Sequence, residues 1–141
     1  MTLRCLCRGI ECEITPPTLE SAHCHCRYCR QAHGAAIVTW LVVPEGQFKV
    51  TRGQELLSWY QSSEQTRRGF CSSCGSPMLC SSTLNPGEMH VARALVEGEV
   101  DQEPAAHCFA DHKVDWLTVA DGLPELGSDS EILAHYKKIK P

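Results

Sequence analysis

Seven of this chain's ten cysteines fall into three tight groups, Cys5-x-Cys7, Cys24-x-Cys26-x-x-Cys29 and Cys71-x-x-Cys74-Gly75. Thiolates at such short spacings are the donor pattern of a tetrahedral metal site. Two four-coordinate ions would take eight protein donors and these groups hold seven. One ion is therefore expected to keep a position for water, a substrate thiol or a histidine. Cys71 to Gly75 reads as a knuckle, a tight bend that presents two sulfurs and is closed by a glycine free to take positive φ. Cys5 and Cys7, read as part of a strand, would share one face, where a disulfide between them would be strained. On residues alone Cys71 and Cys74 join either Cys5 and Cys7, the preferred arrangement, or two of Cys24, Cys26 and Cys29.

The trio Cys24, Cys26 and Cys29 has two readings. A histidine such as His23, His25 or His33 closes the site, or the fourth position stays exchangeable. An exchangeable zinc position would bind an incoming thiol as thiolate beside an electrophile, which is carbon–sulfur bond chemistry. His25, between two of the cysteines, suits an outer donor, a fourth ligand or a proton carrier. Arg27 and Arg30 flank the loop and suit either carboxylate binding or plain solvation. Cys12, Cys80 and Cys108 read as small buried hydrophobes. Arg67 and Arg68 read as the exposed side of a strand without a partner. The chain shows no Ser/His/Asp arrangement and no Gly-rich phosphate loop.

The elements that must hold these groups are mostly strands. Leu3 to Ile14 predicts a hairpin or bent strand carrying Cys5 and Cys7, ended by Pro16-Pro17. Ser21 to Gly34 predicts a metal loop running into a short helical turn around Arg27 to His33. Ala35 to Val43, rich in Val, Ile and Trp, predicts a central strand buried on both faces. Further strands are expected at Phe48 to Thr51, Leu56 to Tyr60, Thr66 to Phe70, Met78 to Ser82 and Met89 to Val96, paired antiparallel. His107 to Val119 is less regular. A C-terminal helix is expected over about 130–138, with Ser130 as N-cap.

At 141 residues, with 43% hydrophobic and 21% charged side chains, the chain is expected to form one soluble domain with its own core. The longest apolar run ends at Pro44 and is too short to span a bilayer. Met1 leads into a polar stretch unlike a secretory signal, so a cytoplasmic protein is expected. A net charge of -4 speaks against binding a phosphate backbone.

In their order, Cys-x-Cys, then Cys24-His25-Cys26-x-x-Cys29 followed by His33-Gly34 and a Val/Trp-rich strand, then Arg68-Gly69-Phe70-Cys71-x-x-Cys74-Gly75-Ser76-Pro77, these motifs resemble the glutathione-dependent formaldehyde-activating (Gfa-like) family, which includes the centromere protein V group. His107, Lys113, Trp116 and Leu123-Pro124 fit its C-terminal pattern, so the resemblance runs over about 3–126 of a single domain at 1–141. Arg8 departs from it, standing where the family often has Gly. The resemblance implies a mostly β, Mss4-like (β-tent) fold of antiparallel sheets with short helical segments. It implies two zinc ions, a structural one on Cys5, Cys7, Cys71 and Cys74 and a catalytic, possibly labile one on Cys24, Cys26 and Cys29. It also implies that His107, Lys113 and Trp116 lie near the active pocket. The implied activity is that of a carbon–sulfur lyase, joining a thiol such as glutathione to an aldehyde as in S-hydroxymethylglutathione. The alternatives are a non-enzymatic zinc module for protein or nucleic-acid interaction, and a redox or metal-buffering protein.

Overall fold

The computed structural model describes residues 1–134. In chain order the strands are Thr2–Arg4 (β1), Glu11–Ile14 (β2), Glu20–Cys24 (β3), Val38–Pro44 (β4), Phe48–Arg52 (β5), Leu57–Gln61 (β6), Thr66–Cys71 (β7), Pro77–Ser82 (β8), Glu88–Ala92 (β9), Val96–Glu97 (β10), His107–Cys108 (β11) and Glu125–Leu126 (β12). One α-helix, Arg27–His33 (α1), lies between β3 and β4. The fold is mostly β. No helix among the described residues is long and apolar enough to cross a membrane.

The strands form a four-stranded sheet in the order β10-β1-β2-β5 and an eight-stranded one in the order β12-β11-β3-β4-β9-β8-β7-β6. Pairing is antiparallel except at one edge, where β11 lies parallel to both β3 and β12. Between the sheets lies the main core, with Leu3, Ile10, Ile14, Leu41, Val43, Met78, Leu79 and Val91 all buried. β4 is buried on both faces, as its Val- and Trp-rich run predicts. Its residues alternate, so Leu41 and Val43 enter that core while Val38 and Trp40 pack with Cys24, Cys29 and Ala92 on the opposite face. One strand thus joins the scaffold to the surroundings of the helix.

The N-terminal segment is a hairpin, but Cys5 and Cys7 sit in the turn between β1 and β2 and not on a strand. Only a turn gives their sulfurs directions that a pleated strand would not. Arg8 in that turn has φ 61°, a left-handed conformation that favours glycine, which accounts for the Gly common here in the similar family. Met89 to Val96 is interrupted by a short 3-10 turn at Arg93–Leu95 between β9 and β10. Of the expected C-terminal helix, the described part is a 3-10 turn at Glu131–Leu133 on which the Ser130 side chain makes no capping bond; the rest lies outside the described residues.

Gly53, before β6, has φ 76°, and a Cβ there would stand 2.1 Å from the Gly9 carbonyl oxygen. This backbone-to-backbone approach braces the turn that carries Cys5 and Cys7. Gly53→Ala is expected to lower the stability of the protein by about 2 kcal/mol or more. Gly46→Ala, at ordinary φ with nothing within 4 Å, should change it by less than about 0.5 kcal/mol. Denaturant unfolding of the two variants beside the parent checks the contrast.

Candidate metal centres and adjoining cavity

The sulfurs of Cys5, Cys7, Cys71 and Cys74 lie within 4.8 Å of one another, with Cys5 to Cys7 at 3.5 Å and Cys7 to Cys71 at 3.9 Å. Two loops bring them together. Cys71 ends β7, and the turn after it closes through Gly75 N–H donating to Cys71 O at 2.8 Å, with Gly75 at φ 78°. The other loop is tied on by Leu6 N–H, which donates to Ser76 Oγ at 2.9 Å. Ile10 N–H reaches Cys5 Sγ at 3.3 Å. The Ser76 hydroxyl, 3.1 Å from Cys74 Sγ, holds that thiol down at about 5, whereas burial pushes Cys71 up to about 11. Of the two pairings open in the sequence, the structure has Cys71 and Cys74 beside Cys5 and Cys7.

Cys24, Cys26 and Cys29 form the second group, again within 4.8 Å. Cys24 ends β3, Cys26 caps α1 by accepting from Cys29 N–H at 3.3 Å, and Cys29 lies in the first turn. A separation of three residues keeps Cys26 and Cys29 on one side of the helix. Hydrogen bonds from Cys24 and Cys26, with the nearby positive charge of Arg68, hold the Cys29 thiol well below its ordinary value despite burial. Cys24 is pushed up by its bonding to Cys26 and Cys29 and by burial.

Arg68 corrects the sequence reading. It extends from β7 so that Nη1 and Nη2 lie 3.8 and 3.9 Å from Cys29 Sγ, and its Nε is buried without a hydrogen-bond partner. Arg67, on the opposite face, stacks over the Trp59 ring at 4.3 Å. Strand alternation alone rules out two neighbours sharing one exposed side, and it is the signal by which Arg68 was legible.

Beside the trio opens a cavity of about 310 Å³, walled largely by Trp40, Val42, Ala22, Phe109, Cys80 and Cys108 and reached by Arg68. Burial pushes Cys80 up to about 12 and Cys108 to about 11, so both are neutral. Cys12 is buried in the main core, its thiol also raised to about 12 by burial. Arg27 is exposed and bonds Gln31. Arg30 instead donates from Nε to the His25 carbonyl at 3.0 Å.

A third constellation joins three elements. Asp121 accepts from His107 Nε2 at 2.9 Å, which leaves His107 Nδ1 to accept from His25 Nε2 at 2.8 Å. Burial keeps His25 below its ordinary value, and its Nδ1 is buried without a partner. His25 thus faces His107 and not the sulfurs. None of His107, Lys113 and Trp116 lines the cavity: His107 is buried beneath Asp121, Lys113 pairs with Glu125 at 2.9 Å, and Trp116 is 73% exposed.

The family model for the glutathione-dependent formaldehyde-activating enzyme matches residues 1–112. The chain belongs to the Gfa family. The matched segment contains all seven grouped cysteines and Arg68, and the mostly β architecture with its cysteine groups is that of the Mss4-like fold. Among solved structures, a Rhodobacter sphaeroides protein determined in a structural genomics programme is similar, with TM-score 0.59 and 26% identity over 73% of this chain and 100% of that one. No curated protein sequence matches.

Asp121 connects the Gfa-matched segment to the stretch after it. Its carboxyl is held below the usual range by Leu123 N–H and then by His107. A depressed native value stabilises the fold above the usual aspartate range, and that contribution disappears as pH falls through the native value. Asp121→Asn is expected to melt below the parent at pH 7, with the difference shrinking across that acid window. Thermal melts from pH 7 downward test this, a pH-independent difference being the contrary result.

Proposed function

We propose that this chain is a single zinc-binding domain over 1–141 and acts as a carbon–sulfur lyase, handling the adduct of a glutathione-like thiol with an aldehyde. The observation that carries the reading is the three-sulfur group on the cavity wall. Among the described residues no histidine or carboxylate joins its sulfurs within 4.8 Å, so a fourth position is left for an outside donor. The donors suit the ion. An all-thiolate set favours zinc, and the sulfur separations of the first group are near the roughly 3.8 Å edge of a tetrahedron with 2.3 Å bonds.

In this proposal Cys5, Cys7, Cys71 and Cys74 hold a structural zinc that staples the N-terminal turn to the turn after β7. Cys24, Cys26 and Cys29 hold the second. When bound there, zinc supplies acidification of a thiol and a fixed position for its sulfur. The protein's own groups do the rest. Trp40 and Phe109 exclude water, and Arg68 offsets the negative charge next to Cys29. In condensation the thiol sulfur's electron pair forms the C–S bond, the carbonyl π pair moves onto oxygen, and the thiol proton ends on that oxygen. Cleavage reverses each transfer, with no net oxidation. A reducing, cytoplasmic setting belongs to the same proposal, because all ten cysteines are free and the clusters require it.

Two substitutions separate the roles. Cys74→Ser should cost several kcal/mol or prevent folding, since metal binding there is also folding free energy. Cys26→Ser should fold, retain one of two zinc equivalents and lose acceleration of S-hydroxymethylglutathione formation. Metal analysis, circular dichroism and magnetisation-exchange NMR of formaldehyde with glutathione measure these outcomes. Equal unfolding of both variants, or a trio whose cobalt spectrum ignores added thiol, would refute the division and favour a non-enzymatic module.

A further inference from the structure

Resting on the lyase reading, we infer that the aldehyde handled at this site carries an apolar substituent of aromatic or branched-aliphatic size, seated in the cavity beside Cys24, Cys26 and Cys29, with its oxygen at Arg68. Formaldehyde has no such substituent. A dry cavity of about 150 Å³ suffices for benzene, and this one, at about 310 Å³, has room for a ring and a short linker. Its walls offer carbon and neutral sulfur from Trp40, Val42, Phe109, Cys80 and Cys108, a surface that favours an apolar body over water.

Charge decides which half of the adduct goes inside. A glutathione-like thiol brings two carboxylates and an ammonium, all costly to bury without partners. The two imidazoles on the wall already face acids, His90 with Glu88 at 3.1 Å and His112 with Asp111 at 3.5 Å. Arg27 and Glu20 are exposed where the cavity meets solvent, so the peptide part of the thiol belongs at this mouth. Inside, Arg68 is the fixed cation. Among the described residues no carboxylate pairs with it; two of its nitrogens approach Cys29 and its Nε has no partner. A guanidinium so placed, with five N–H donors, suits the single oxygen that gains charge while the C–S bond forms.

The test uses the zinc-loaded full chain with glutathione held constant, comparing phenylacetaldehyde with formaldehyde by magnetisation-exchange NMR. The unreactive alcohol 2-phenylethanol reports cavity binding by calorimetry, independently of turnover. Expected are a kcat/KM at least about tenfold higher for phenylacetaldehyde and saturable binding of the alcohol. Ala22→Phe, which fills the cavity from β3, should abolish that binding and bring the aldehyde ratio towards one; Cys108→Phe serves if the first variant does not fold. Arg68→Lys keeps the charge, loses the planar fork and should slow phenylacetaldehyde about tenfold or more. If neither aldehyde is turned over yet the alcohol binds the parent and not the filled variant, the lyase reading fails and the apolar occupant stands. Absence of alcohol binding, binding unaffected by Ala22→Phe, or a preference for formaldehyde would overturn the inference. An Arg68→Lys protein as fast as the parent would overturn the oxygen contact.

Discussion

Sulfurs held within 4.8 Å of one another cannot all ionise unless a shared positive charge compensates them, and the molecule is organised around that constraint. In the first group the hydrogen bonds to sulfur come from neutral groups, the Ser76 hydroxyl and the Ile10 N–H among them, and the four-sulfur set is one that could share an ion. In the second group part of the compensation is a side chain. Arg68 stands 3.8 Å from the Cys29 sulfur, and its positive charge helps to hold that thiol below its ordinary value. The two groups therefore differ in chemistry although both are made of cysteine.

Strands β4 and β7 carry this organisation. β4 sends Leu41 and Val43 into the core between the sheets and Trp40 to the cavity, so core stability and the cavity wall share one backbone. β7 ends at Cys71, in the four-sulfur group, and three residues earlier places Arg68 at the other group. Anything that shifts the register of β7 against β6 and β8 would disturb both centres together. The Gfa family assignment and these geometric facts are the grounds on which we propose thiol chemistry at a zinc ion beside this mostly apolar chamber.

The histidine chain serves the fold more than the sulfurs. Asp121, His107 and His25 join the stretch after β11 to the loop before α1, and the parallel pairing of β11 with β3 and β12 depends on the same neighbourhood. The place of His25 between Cys24 and Cys26 in sequence suggests ligation, but its ring turns towards His107.

Much of this was legible from residue order. Apolar and β-branched runs predicted most of the strands, the Val/Ile/Trp-rich stretch predicted a strand buried twice, and cysteine spacing marked both groups, because these are local properties of the chain; β3, read as part of a metal loop, and the short β11 and β12, which pair only through distant partners, were not foreseen. Which cysteines converge was not local: Cys5 and Cys71 meet through strand order and the closure of two turns. Strand alternation already set Arg68 opposite Arg67, but its partner, Cys29 on α1, is distant in sequence and was not legible. The cavity is a property of packing, of the space that Trp40, Phe109 and α1 leave unfilled. Spacing names the donors available to a metal, while the paths of strands distant in sequence settle what those donors face.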